Sequence, residues 1–413
     1  MYLTDNIMVG HTTKVQMAGV ATGAWWFFSV YIPLLGVLRV LDPMVAQAVG
    51  AGDEAGASRA LARGVVVGAV LALLTAGFMA FTGPALALLG QPAETIPVAV
   101  AFTRNLVPGI PGAFGFALLR TWLQARGEMR PGNVAIVLAN GVNLLLDWVF
   151  VYGHLGMPAL GGPGSAIATS VGNWFQLAVI AGFSWRSWWP ALSHLREASA
   201  VSSWSRLLPL GLPLAVQTGT EIWAFSLAGW MAGWLSAAGL AAHLIAINLS
   251  SISFNLAIGF GTAAATRVGQ LVGAGHAIRR TAIAALLWVW GVMVVFAFIF
   301  ARFSASLASV YSNDAEVIGI AVQLLPIAAA FQLFDGTQAV TFGILRGAGD
   351  VRVPTLFNLL GFWVIGLPLS YALFLEGWGV PGIWVGLAVA LGLVSAMLLL
   401  RVRSTVAHGG FRV

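Results

Sequence analysis

The 413-residue chain is 59% hydrophobic and only 8% charged, with a mean hydropathy of +0.90. A soluble domain carries roughly a quarter charged residues, so this chain cannot cover a water-facing surface and reads as an all-α polytopic membrane protein. The net charge of +6 does not mark a nucleic-acid partner, because the 19 arginines and the single lysine stand mostly between apolar runs, as membrane topology requires. Without cysteine, disulfide frameworks, thiol chemistry and thiolate metal sites are excluded.

Met1 to Gly10 reads as the tail of a helix whose beginning is missing. Eleven apolar runs follow, at 18–48, 64–90, 95–123, 133–153, 164–185, 207–235, 238–264, 281–311, 316–345, 353–375 and 379–400. Each reaches the roughly 20 residues that a bilayer span needs, and the longer ones allow tilt or a bend at Pro33, Pro43 or Pro326. The polar interval around Arg186–Arg206 suggests an N-lobe over 1–190, a cytoplasmic linker over 191–206 and a C-lobe over 207–413.

Fifteen of the twenty basic residues fall in alternate connections, from Arg59 and Arg63 to Arg401, Arg403 and Arg412. Those connections are therefore expected on the cytoplasmic side, with both termini there once a first helix is restored to give twelve spans. An internal repeat supports the count. Val45–Gly52 (VAQAVGAG) matches Val268–Gly275 (VGQLVGAG) at an offset of 223, which also pairs Gly10 with Gly233, Ala18 with Ala241 and Gly36 with Gly259. Arg126-Gly127 pairs with Arg346-Gly347 at an offset of 220. Two pseudo-symmetric six-helix lobes related by an axis along the membrane normal follow, an arrangement known among transporters.

Several motifs in order carry a resemblance. Asp5-Asn6 near the start, VAQAVGAG after the second helix, QARGEMRPG before the fifth, Asn143 to Asp147 within it and GPGSAIATS opening the sixth occupy the first half. PLAVQTGTE at 213–221, VGQLVGAG at 268–275 and FGILRGAGDVRVPT at 342–355 occupy the second. Together they resemble the multidrug and toxic compound extrusion (MATE) family, in its NorM-like branch, along essentially the whole chain. One departure is that the family's first helix normally begins well upstream of its acid, whereas Asp5 is nearly N-terminal here.

Acids inside apolar spans are costly and therefore candidates for function. Asn143 and Asp147 are four residues apart, on one face of a helix, and with a hydroxyl from Thr169 they make the oxygen-rich set that hard cations prefer. The resemblance implies that Asp5, Asn143, Asp147 and Thr169 converge as a sodium or proton site. The alternative is a polar network that only locks helices together. Glu221 and Asp335 form a second candidate set, for cation or substrate, with no Lys or Arg within two helical turns. Its bland reading is a protonated Asp335 hydrogen-bonded to Gln332 or Gln338. Asp42 is expected beside Arg39, and His243 is expected to be a satisfied helix-contact histidine rather than a metal ligand.

The expected function is a multidrug efflux antiporter that exchanges amphipathic, often cationic, organic compounds for Na+ or H+ by alternating access. Neither a catalytic residue nor a cofactor is expected, and the only metal would be Na+ at Asp5, Asn143 and Asp147. The resemblance further suggests a monomer in a bacterial-type inner membrane. A flippase for a lipid-linked oligosaccharide is the runner-up, disfavoured because the charges inside the spans are mainly acidic. A membrane-embedded enzyme is a third reading, with no H-E-x-x-H or nucleophile–base pattern to support it.

Overall fold

A computed structural model describes residues 5, 8–10, 12–199 and 201–408, apart from the side chains of 201–206. The first-helix tail is thus represented by Asp5 and the helical residues 8–10, and the rest of that segment lies outside the described residues. Of the described residues 88% are helical, and none lies in a strand.

In the first half the helices are α1 (Lys14–Leu38), α2 (Leu41–Gly50), α3 (Glu54–Ala80), α4 (Thr82–Leu88), α5 (Ile96–Leu106), α6 (Ile110–Ala125), α7 (Arg130–Tyr152) and α8 (Gly162–Trp188). The second half adds α9 (Val201–Leu235), α10 (Ala237–Gly273), α11 (Arg279–Arg302), α12 (Ser304–Tyr311), α13 (Ala315–Gly347) and α14 (Arg352–Leu359). A π-helical turn over Leu360–Gly366 then leads into α15 (Leu367–Leu375) and α16 (Gly379–His408). Among the described residues ten helical segments are long and apolar enough to cross a membrane. The 35-residue α9 supplies the eleventh run that hydropathy marks.

Local chemistry sets the ends of these helices. The Thr13 hydroxyl accepts from the backbone N–H of Gln16, the Ser236 hydroxyl from that of Gly239, and the Asp314 carboxylate from those of Glu316 and Val317. Each satisfies donors that a helix start leaves open. Of the expected bends, the one near Pro43 is a break at residues 39–40, with the proline in the first turn of α2, where its missing N–H costs little. Large side chains such as Leu73, Val137, Trp288 and Phe298 are left exposed, an outer surface suited to lipid rather than water.

Backbone contacts divide the chain into two compact units, one of residues 1–41 and 54–215 and the other of 42–53 and 216–413. The expected linker is largely helical, with a 3-10 turn over Trp189–His194, a short helix over Leu195–Ala198 and the start of α9. The division falls inside α9, at a point beyond Gly211, which packs on α1. A Cβ on Gly211 would lie 2.7 Å from the Val37 carbonyl oxygen.

In the first unit, glycines bring α8 against α7 and α6. A Cβ on Gly164 would lie 2.5 Å from the Phe150 carbonyl oxygen, and one on Gly112 would lie 2.9 Å from the Trp174 nitrogen. In the second unit the same device joins α10 to α13. Gly343 and Gly347, four apart on α13, face Gly261 and Ala265, four apart on α10. This small-xxx-small seam lets two membrane helices meet backbone to backbone. Phe225, Phe331, Phe362 and Trp384 fill the core beside it in tilted and edge-to-face pairs.

The repeat becomes a physical contact in the second unit. Gly50 meets the backbone of Gln270, and Gly273 meets the backbone of Gln47. The offset of 223 relates Gln47 to Gln270 and Gly50 to Gly273, so the two copies clasp each other reciprocally, as surfaces related by a two-fold axis do. The Gln47 amide adds a 3.1 Å hydrogen bond to the Gly347 carbonyl. Asp42, which spacing places beside Arg39, forms an ion pair at 3.2 Å with Arg346, in the other half of the sequence.

Candidate cation sites

In the first unit, α7 carries Asn143 and Asp147 on one face, and both side chains are completely buried. The antiparallel α8 brings Thr169 opposite them. Its hydroxyl donates to Asp5 Oδ2 at 2.7 Å and accepts from Asn143 Nδ2 at 3.4 Å. Asp5 is buried, and the Tyr152 hydroxyl of α7 donates to the Met8 carbonyl at 2.8 Å. The Asp5 and Asp147 carboxyl groups are close enough for their charges to interact. All four residues assigned to this site from the sequence are therefore brought together.

The satisfaction of the polar atoms sets this cluster apart from a simple helix lock. Asp5 Oδ1, Asn143 Oδ1 and both carboxyl oxygens of Asp147 are buried and find no hydrogen-bond donor within reach among the described residues. Buried polar atoms are normally paired, and an unmet charged acceptor is the costliest kind. A proton shared between the two acids, or a bound cation, would supply what these acceptors lack. The donor set of two carboxyls, an amide oxygen and a hydroxyl suits a hard ion such as Na+.

The second unit joins Glu221 of α9 to Asp335 of α13, with charges that interact. Two amides reach the same Glu221 oxygen, Oε1: Gln338 Nε2 at 2.8 Å, and Asn358 Nδ2 of α14. Thr220 donates its hydroxyl to Asn358 Oδ1 at 3.1 Å, and Trp363 Nε1 donates to the Thr220 carbonyl at 3.2 Å. On α13, the Gln332 amide oxygen accepts from the Ser253 hydroxyl of α10, and Thr337 accepts from Trp290 Nε1 at 2.8 Å. The two glutamines expected as possible partners of Asp335 thus turn to Glu221 and Ser253 instead. His243 is buried and accepts from Trp384 Nε1 at 3.2 Å through Nδ1, the satisfied core histidine that was expected.

The MatE family model matches residues 1–149 and 213–372. The chain belongs to the MatE family. A probable multidrug resistance protein NorM of Mesorhizobium japonicum is 34% identical, covering 97% of this chain and 89% of that protein. The multidrug resistance protein MdtK of Edwardsiella ictaluri is 28% identical, covering 98% and 91%. The crystal structure of MATE in the straight conformation superposes with a TM-score of 0.89 at 17% identity, covering 99% of this chain and 92% of that one. That likeness shows a shared MATE fold.

Sequence reasoning missed Asn358 and Trp363 altogether in this MatE chain. A single asparagine at the start of an apolar span carries no charge signal. The turn that brings Trp363 to Thr220 is π-helical, and no local pattern marks it.

Proposed function

We propose that this chain is a secondary active multidrug exporter, exchanging amphipathic and often cationic compounds for Na+ or H+ by alternating access. The observation that carries the reading is the buried set of oxygens on Asp5, Asn143 and Asp147 that find no donor among the described residues. A group that must be filled from solution, at a depth where an empty charge is costly, suits an ion that binds one state better than another. Glu221 and Asp335 give the second unit its own acidic site for a cation or a cationic substrate. The names of the NorM and MdtK relatives favour drugs as the exported class. Acidic clusters in both units oppose a lipid-linked pyrophosphate.

On this reading the chain performs no covalent chemistry and needs no cofactor beyond the coupling ion. It works as a multi-pass protein of a bacterial inner membrane, with its arginine-rich connections on the cytoplasmic side. The deciding experiment is ethidium transport in proteoliposomes under an imposed sodium gradient or an imposed proton gradient. One gradient should drive transport by the native protein, and Asp147→Asn or Asp335→Asn should uncouple it while leaving a folded protein. Normal gradient-driven transport by both variants would refute the scheme.

A further inference from the structure

We propose that Asn358 is the positioning residue of the acid pair in the second unit, fixing the Glu221 carboxylate in the orientation in which it faces an incoming cation. The proposal rests on the coupling role just given to Glu221 and Asp335, and goes beyond it by naming what controls that site's ion affinity.

Three features of the geometry support it. Asn358 is fully buried, and its amide has a defined orientation, since the Glu221 carboxylate can only accept and so takes Nδ2, which turns Oδ1 to the Thr220 hydroxyl, whose proton is shared with the Gln217 carbonyl. Its N–H shares Oε1 with that of Gln338, which comes from α13, so two helices hold one carboxylate oxygen. Hydrogen bonds to a carboxylate are among the stronger ones, and two on one oxygen restrict its rotation. This leaves Asp335, whose charge interacts with that of Glu221, as the member of the pair without an amide clamp from Gln332 or Gln338.

The third feature is the backbone after Asn358. Residues five apart on a regular α-helix point about 140° away from each other, given 3.6 residues per turn. Asn358 and Trp363 are five apart, yet both reach the same turn of α9, one at the Thr220 and Glu221 side chains and the other at the Thr220 carbonyl. The π-helical turn over Leu360–Gly366 changes the register and allows this. Such turns are uncommon and concentrate at functional positions. Trp363 thereby braces the turn that Asn358 reads, and the two contacts act together on Glu221.

The test uses the full chain reconstituted in liposomes, with ethidium transport measured against sodium concentration and, in parallel, against pH. Asn358→Ala should raise the sodium concentration for half-maximal transport about tenfold, the loss expected for one hydrogen bond to a charged group, or, with protons as the driving ion, move the pH midpoint of transport upward by about one unit, because the lost donor held the charged form of the acid. The maximal rate should change by less than about twofold, a split that a merely structural defect would not produce. In a Glu221→Gln background the same change should add nothing. Trp363→Phe keeps the ring, removes the N–H and should shift the ion requirement in the same direction. If Asn358→Ala does not fold, Thr220→Val, which frees the amide to turn, must show the shift in its place. An unchanged ion requirement, a fall in maximal rate alone, or an effect additive with Glu221→Gln would overturn the proposal. If Glu221→Gln itself left the ion dependence untouched, the coupling role of the acid pair would fail instead.

Discussion

Gly343 offers the sharpest test of how this membrane fold is held together. A Cβ there would lie 2.0 Å from the Gly261 carbonyl oxygen, 2.6 Å from its carbon and 2.8 Å from its Cα. Ordinary contact begins at 3.4 Å, so the deficit is about 1.4 Å, and the obstacle is backbone, which cannot rotate aside. Gly343→Ala must therefore push α10 and α13 apart. Overpacking of a tight core costs about 1–3 kcal/mol, and rigid backbone on both sides points to the upper end. Replacing glycine by alanine inside a helix returns about 1 kcal/mol of backbone propensity. Gly291 of α11 isolates that second effect, because a Cβ there would meet nothing within 4 Å. Gly291→Ala should melt at or above the native temperature, and Gly343→Ala clearly below it. The assay is thermal denaturation of the purified proteins in detergent, followed by size-exclusion fluorescence. The displaced seam also carries the Ser253–Gln332 bond, so transport should fall with stability. Identical melting of the two variants would refute the close-packed seam.

Gly50→Ala and Gly273→Ala should each destabilise the protein, and together cost less than their sum, because either one alone already parts the reciprocal clasp; strict additivity in melting experiments would show two independent contacts. Thr169→Val removes the hydroxyl that links Asp5 to Asn143, and should raise the sodium concentration needed for half-maximal transport, or, with protons as the driving ion, move the pH midpoint upward; an unaltered curve would remove Thr169 from the site. His243→Phe deletes one hydrogen bond from Trp384, with an expected loss of about 1 kcal/mol in stability and no change in ion dependence. A shifted ion curve in that variant would give His243 a part in coupling that its packing does not suggest.

The spans, the helical class and the repeat were all written in local terms, as runs of apolar residues and a recurring VxQxVGAG. Hydropathy acts residue by residue, and every peptide group in a bilayer must bond within its own segment, so composition along the chain decides where helices form. Asp147 and Asp335 announced themselves for the same reason, since an acid in an apolar run is costly wherever its neighbours lie. The family's motifs supplied the grouping of Asp5 with Asn143, Asp147 and Thr169, which spacing on one helix could not reach.

Tertiary structure alone decided which atoms meet. Asp42 pairs with Arg346 across 304 positions, Glu221 is clamped by Asn358 from 137 positions away, and Gly211 of α9 packs on Val37 of α1. That the oxygens on Asp147 find no donor among the described residues is also a three-dimensional fact. Burial in lipid is an additive property of a segment, whereas a hydrogen bond is a property of two groups that the sequence keeps far apart.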